Sequence, residues 1–462
     1  MSTFARKNEG MLIGVIVIAC FLALYNTSSM NVALPEFMRH FDASVMVVQW
    51  VSIGYTVVMG VASPLSSWFV RRFTLRNYFI YSMWGYALLS FLSGCVDNIY
   101  FMIVIRAVQG VCGAALIPVT MIAVFRFIPR NRQPLFLTIQ NMSISLGPAV
   151  GPVLAGLLLT LAGWRWIYWS NVPLSIIAAI LAMKCLPREA LGESETVDMV
   201  SIASIVTGCM LVLLGFSLAD TYGITSPLIL TMIAAGSALC GWFIHRQHHS
   251  DHPVLSFTML RNREFTLAMC INAMLSLALP LAAFVLSIYF QTVRGYSALG
   301  YGLLMLIPAV FSMGGAPISQ KLYRRLSSKT LIFVGLVFLS VGSLTLGLCD
   351  VDTSLIFVMV FLCARYFGIG LLGMPITDHG MRELPPDQTS DGSTLVNWVK
   401  LMSTSLTLAV FTMVYSVSVQ HAAASGAAAP EVAGVDVVFV SSGIVLCVGL
   451  LLAAFLKRKK PE

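Results

Sequence analysis

Charge is what this sequence has least of: only 10% of its 462 residues are Asp, Glu, Lys or Arg, against about 25% in soluble globular proteins. With 58% hydrophobic residues, the composition excludes the water-soluble classes and makes the lipid bilayer the chain's solvent and partner. Metal or disulfide spacing is also missing. The ten cysteines lie in or at the ends of apolar stretches with no CxxC pair, which argues against both a disulfide framework and a metal knuckle. There is no phosphate-binding loop, so ATP hydrolysis is not the energy source, and no cofactor or catalytic signature was found. The apolar run from Met11 to Leu24 continues past signal-peptide length without an A-x-A cleavage site, and reads as a retained first helix.

What is present is a succession of apolar stretches of about 20 residues, the length that crosses a bilayer. They begin near residues 11, 45, 77, 100, 135, 167, 199, 226, 265, 299, 330, 354, 393 and 436, which predicts fourteen transmembrane helices. With the N-terminus inside, 22 of the 28 Lys and Arg fall on the cytoplasmic side, as the positive-inside rule demands. Arg39, Arg165 and Arg294 fall outside, and Arg106, Arg365 and Lys400 lie within helices. The net charge of +8 therefore reflects membrane topology and does not call for a nucleic-acid partner. Both termini are expected in the cytoplasm.

An internal repeat accompanies this count. Pro64-Leu65-Ser66 is followed by Arg71, Arg72 and Arg76, and Pro317-Ile318-Ser319 by Arg324, Arg325 and Lys329, at the same offsets of 7, 8 and 12. Each group follows the second helix of a half. The expected organisation is an all-α membrane protein: a six-helix bundle over 1–191, two inserted linker helices over 192–263 and a second six-helix bundle over 264–462. Such parallel halves are one way transporter folds are built, with the substrate site at their interface.

Arg106, Gln109, Gly110 and Gly113 fall at i, i+3, i+4 and i+7, so one helix face carries a cation, an amide and two residues without bulk. An Arg at mid-membrane costs about 2.5–3.5 kcal/mol on insertion scales and turns inward, toward a cavity or toward carbonyls of a neighbouring helix; both readings stand. Arg365, followed by Gly368 and Gly370, is its counterpart in the second half. In the fifth helix, Gly147-Pro148 and Gly151-Pro152 combine a small-residue stripe with prolines that bend helices, the mark of a packing hinge or gate. Trp164, Trp166 and Trp169 read as interface anchors. His245, His248, His249 and His252 sit in a loop without Cys and read as a solvated linker instead of a metal site.

These blocks together resemble the fourteen-helix drug:proton antiporter branch of the major facilitator superfamily, from helix 1 to helix 13. The resemblance is carried by Asn31-Val-Ala-Leu-Pro35, by Arg106-x-x-Gln109-Gly110, by the GP-x-x-GP run and by Trp164-Arg165-Trp166-Ile167 with Asn171-Val172-Pro173. Gln291 to Ser297 with Pro308 adds to it, and Asn397 and Lys400 fall where the family usually shows Asn and Arg. Two departures stand out. Asn26 replaces the usual acid of helix 1, and Arg71-Arg72 replaces the usual Asp-Arg after helix 2.

A proton-coupled carrier needs a group whose protonation follows the access state. None of the 20 acids falls in the middle of a predicted helix; the nearest are Glu36, Glu264, Asp378 and Asp391. Glu36 and Asp378 are the candidates for a proton site. The expected function is secondary active export of a small organic molecule by proton antiport, multidrug or toxic-compound efflux, from the bacterial inner membrane. Asn26, Arg106, Gln109, Arg365, Asn397 and Lys400 are expected along the central cavity, with Gly147, Pro148, Gly151 and Pro152 shaping the gate. The three interior cations leave a second reading open, an exporter of a defined anionic metabolite such as a siderophore. A non-transporting membrane sensor is a third. The resemblance also allows a periplasmic adaptor protein as partner.

Overall fold

A computed structural model describes residues 2–129, 132–187, 198–249, 255, 257–323, 325–385, 388–427 and 429–457. Arg130, Arg188, His252, Arg324 and residues 458–460 lie outside the described residues, as do the side chains of Arg6, Lys7, Arg71 and Asp391. Among the described residues there is no strand. In hydrocarbon every backbone N–H and C=O must be satisfied within its own segment, and the helix does that locally.

The chain divides into two compact units, 1–199 with 297–302, and 200–296 with 303–462. The first holds α1 (Ser2–Phe41), α2 (Val45–Ala62), α3 (Ser66–Phe73), α4 (Leu75–Cys95), α5 (Ile99–Gly113), α6 (Leu116–Phe127), α7 (Gln133–Ala162), α8 (Arg165–Trp169) and α9 (Asn171–Cys185). After it come α10 (Met199–Tyr222), α11 (Pro227–His248), α12 (Arg263–Ile288), α13 (Ala298–Tyr323), α14 (Ser328–Leu346), α15 (Leu355–Met381), α16 (Thr389–Ala424) and α17 (Pro430–Ala454).

Among the described residues, thirteen spans are long and apolar enough to cross a membrane, α5 with α6 forming one and α8 with α9 another. Helix α4, with 21 residues, has the length of a fourteenth; Tyr78, Ser82, Tyr86, Ser90 and Ser93 make it more polar. Its outer face carries Tyr81, Trp84, Leu88 and Phe91, all exposed, spaced three and four residues apart. On α5, Phe101, Val104, Val108 and Val111 repeat the pattern. Large apolar side chains facing outward over polar ones facing inward are what a lipid solvent selects.

In the first unit α1 packs on α7 and α9, α2 on α5, and α4 on α9. Helix α7 runs unbroken through Pro148 and Pro152. A Cβ on Gly147 would lie 2.6 Å from Leu24 Cβ, and one on Gly151 3.0 Å from Ser28 Cβ, so the small stripe sets the α1–α7 approach. In the second unit α14 packs on α15 and α17, and α12 on α15, α16 and α17.

Three local expectations change. The stretch holding Arg71 and Arg72, read as loop, is the short helix α3. Trp164 is not an interface anchor: it is 3% exposed and packs against Phe37, Phe41 and Tyr168, while Trp166 stays exposed. The last helix begins at Pro430, not near 436, which puts Asp436 in its second turn. Pro at N1 nucleates that helix, because its missing N–H is not needed there.

Candidate functional site

The polar centre of the first unit is Arg106, on α5. Asn98 caps the start of that helix by accepting from the N–H groups of Tyr100 and Phe101. The guanidinium has no exposed surface. Its Nη1 donates to Asn26 Oδ1 at 2.8 Å and to Gln109 Oε1 at 2.6 Å, and its Nε to the Val51 carbonyl at 3.3 Å. Asn26 in turn donates to the Tyr86 hydroxyl, and Gln109 to Ser90 Oγ at 2.7 Å. The Tyr55 ring lies 4.4 Å from the guanidinium carbon. Four helices thus converge on one cation that neutral dipoles and an aromatic face solvate internally. Nη2 has no hydrogen-bond partner among the described residues.

Arg365, on α15, also has no exposed surface. Its Nε donates to Ser343 Oγ at 2.9 Å and its Nη2 to the Ala278 carbonyl at 2.5 Å, reaching α14 and α12. Its Nη1 is left without a partner. Neither Arg106 nor Arg365 contacts a carboxylate among the described residues. Asn26, Arg106, Gln109 and Arg365 were expected along a cavity, yet all four have no exposed surface. Sealing a guanidinium among fixed dipoles is cheaper than leaving it toward hydrocarbon, and it locks the helices it touches. Asn397 and Lys400, on α16, are exposed.

The sequence repeat is mirrored in bonding. Ser66 Oγ donates to the Ala114 carbonyl at 3.2 Å, and Ser319 Oγ to the Leu371 carbonyl at 2.8 Å, each reaching the fourth span of its half. Ten residues after each serine, Arg76 donates to the Met183 carbonyl and Lys329 to the Ala454 carbonyl, both at 2.5 Å. Each of these contacts satisfies a carbonyl in the last span of a half, a group helix ends leave unpaired.

The expected proton sites are both ion-paired. Glu36 is 2.5 Å from Arg39, and Asp378 is 2.7 Å from Arg382 while accepting from the Tyr323 hydroxyl. Two acids prove more enclosed. Asp436 has a buried Oδ1 without a partner. Glu264 is 3% exposed and lies 3.2 Å from the equally buried His379. The sequence showed Glu264 only as an acid near the start of a predicted helix; Asn262 caps that helix by accepting from the Glu264 and Phe265 N–H groups, and the partner of Glu264 is 115 residues away. His245 and His248, read as loop, lie in the last turn of α11, with the His249 ring tilted against His245 and edge-on to His248, and no group of three metal-ligating side chains occurs among the described residues.

The chain spans about three quarters or more of the relatives it matches. It is 30% identical over 410 residues to an uncharacterized MFS-type transporter, YhcA, of Bacillus subtilis, covering 89% of this chain and 77% of that one. It is 26% identical to the lincomycin resistance protein LmrB of Listeria monocytogenes over 97% of both chains. A multidrug resistance protein B homolog of Mycobacterium tuberculosis is 27% identical, covering 90% and 78%. These relatives are transporters, not enzymes. Among solved structures, a POT family transporter in complex with a thioalcohol-conjugated peptide superposes with a TM-score of 0.70 at 15% identity, covering 96% and 94%. A D-xylose–proton symporter does so at 0.68 and 11%, covering 98% of each; both establish the fold. The family model of the Major Facilitator Superfamily matches residues 16–407. The chain is a multi-pass membrane transporter that belongs to the major facilitator superfamily.

Proposed function

We propose that this transporter exports a small organic compound by proton antiport through alternating access. Residues 1–191 and 264–462 are the moving halves, and 192–263 an inserted pair. The observation that carries the reading is similarity to proteins named for lincomycin and multidrug resistance, over 97% and 90% of this chain, on a chain whose two units repeat the same internal bonds. The membrane is the bacterial inner membrane, with both termini in the cytoplasm, because the basic loops crowd to that side. Gly147, Pro148, Gly151 and Pro152 form the α7 face that slides on α1. Asn397 and Lys400, being exposed, are the residues we assign to substrate; Asn26, Arg106, Gln109 and Arg365 act by holding the helices in register.

The siderophore-like reading drew on three interior cations. Two are sealed away from any ligand, so it now stands on Lys400 alone. Purified protein in liposomes, loaded acid inside, tests the proposal. Lincomycin or the lipophilic cation ethidium should accumulate, and a protonophore should abolish the accumulation. Transport that ignores the protonophore removes antiport, and transport of organic anions only would favour the second reading.

A further inference from the structure

Glu264, His379 and Ser328 form a hydrogen-bonded chain that the reading above leaves unused. It lies where helix ends meet: Glu264 is the second residue of α12, Ser328 the first of α14, and His379 stands in the last turn of α15. All three are buried, with exposures of 3%, 2% and 3% for Glu264, Ser328 and His379. His379 Nε2 lies 3.2 Å from Glu264 Oε2, and its Nδ1 lies 2.8 Å from Ser328 Oγ. Glu264 Oε2 also accepts from the Lys457 backbone N–H at 3.0 Å, which ties in the segment after α17. Glu264 Oε1 is buried and has no hydrogen-bond partner. A carboxylate oxygen enclosed without a donor is costly, so the site is incompletely satisfied as it stands.

The neighbouring charges are already committed or cationic. On α15, Asp378 pairs with Arg382 and accepts from Tyr323 of α13. On α14, Lys329 is held by the Ala454 carbonyl. Arg263 of α12 and Lys457 add positive charge, so Glu264 is the carboxylate His379 meets directly. Against the same α12–α15 seam lies a small cavity lined by Phe265, Ala268, Asn272, Thr377 and Gly380, with α16 contributing Val396. Phe265 and Gly380 adjoin the acid and the histidine in sequence, and Asn272 and Thr377 give the cavity polar walls.

We propose that Glu264, His379 and Ser328 are the transporter's proton-binding site, with His379 Nδ1 the atom that takes up the coupled proton. The proposal rests on the antiport reading. In the deprotonated site, neutral His379 donates through Nε2–H to the Glu264 carboxylate, and Nδ1 accepts the Ser328 hydroxyl. A proton arriving at Nδ1 turns the imidazole into an imidazolium that donates at both nitrogens. The Ser328 hydroxyl hydrogen swings away, and Glu264 supplies the compensating charge. The site passes from a net charge of minus one to zero, and release reverses the step. Histidine suits the task because its two ring nitrogens let it hold an acid on one side while gaining or losing a proton on the other. Because the chain is buried at the junction of α12, α14 and α15, it exchanges protons with bulk water only when those helix ends part. That ties protonation to the conformational cycle.

The test uses the full chain in liposomes, with whichever of lincomycin and ethidium the wild type carries. If one proton exchanges per substrate, each pH unit of gradient sustains about a tenfold concentration ratio. His379→Gln should lose that ratio, falling to about onefold, while still exchanging labelled for unlabelled substrate in the absence of a gradient. Glu264→Gln should behave alike. Gradient-driven accumulation by His379→Gln at the wild-type ratio overturns the proposal, as does loss of exchange and accumulation together in a folded protein, which marks a structural tie. Should the His379 variant not fold, Ser328→Ala, which removes the Nδ1 partner and keeps the Glu–His pair, must change the pH profile of gradient-driven transport; an unchanged profile sinks the assignment. A wild type that moves substrate without protons would defeat antiport itself, a failure visible before any variant is made.

Discussion

The two units bury an arginine at the same place and surround it differently. Arg106 sits among side-chain oxygens of Asn26 and Gln109, one carbonyl and the Tyr55 ring. Arg365 has one hydroxyl, one carbonyl and the Phe439 ring at 5.9 Å. The contrast extends to ionisable groups. Among the described residues, the buried Asp, Glu, His, Lys and Arg of the first unit reduce to Arg106, whereas the second unit adds Glu264 and His379 to Arg365. Among the described residues, a buried acid and histidine in contact thus occur in the second unit, at Glu264 and His379. Asn26 sharpens the point: it meets the buried guanidinium with a neutral amide oxygen in place of a carboxylate.

Removing the two arginines gives the largest expected effects and the most direct way to break the comparison. Arg106→Ala strands three acceptors, Asn26, Gln109 and the Val51 carbonyl, at about 1–3 kcal/mol each, and should lower stability in detergent by roughly 3–5 kcal/mol in all. Arg365→Ala strands one hydroxyl and one carbonyl, and should cost about half as much. Equal losses would show that the two surroundings are energetically alike. Next comes Asn26→Asp, which places a carboxylate 2.8 Å from a guanidinium that now lacks one. It should raise the melting temperature by the worth of a charged hydrogen bond, about 1.5–3 kcal/mol; a lower melting point would mean the frame is built for a neutral partner. Smaller still, Ser66→Ala and Ser319→Ala should each cost about 1 kcal/mol and match each other, since both remove a buried hydroxyl-to-carbonyl bond. With the ten native cysteines replaced by Ser, Arg76→Cys and Lys329→Cys should react with an impermeant thiol reagent from the same side of the membrane. Labelling from opposite sides would dissolve the repeat.

Much of the fold was legible because hydrophobic length and basic-loop asymmetry are properties of the chain read in order. The stretch beginning near 77 became α4, and the offsets from Pro64 and Pro317 became matching bonds at Ser66 and Ser319 and at Arg76 and Lys329. Helix starts were less legible: Pro430 extends α17 past the residues whose apolarity announced it, and so hid Asp436 among loop acids. The site was legible in identity and not in environment. Arg106, Gln109 and Asn26 were expected along a cavity and are instead fully buried together, because nothing along the chain distinguishes a guanidinium facing a cavity from one sealed by side chains. His379 stands one residue after Asp378, and a histidine on an apolar helix carries no signal in the sequence until its acid, here Glu264, is beside it.

Composition and hydrophobic length alone determined the solvent and the repeated crossings of the bilayer, since both depend on free energies summed over some twenty residues of contiguous chain. Only the tertiary structure decided which polar groups are sealed, which are exposed and which share a proton. Those outcomes depend on contacts of about 3 Å between residues 80 and 115 positions apart, and in a low-dielectric interior such distances set whether a charge is held, shared or released.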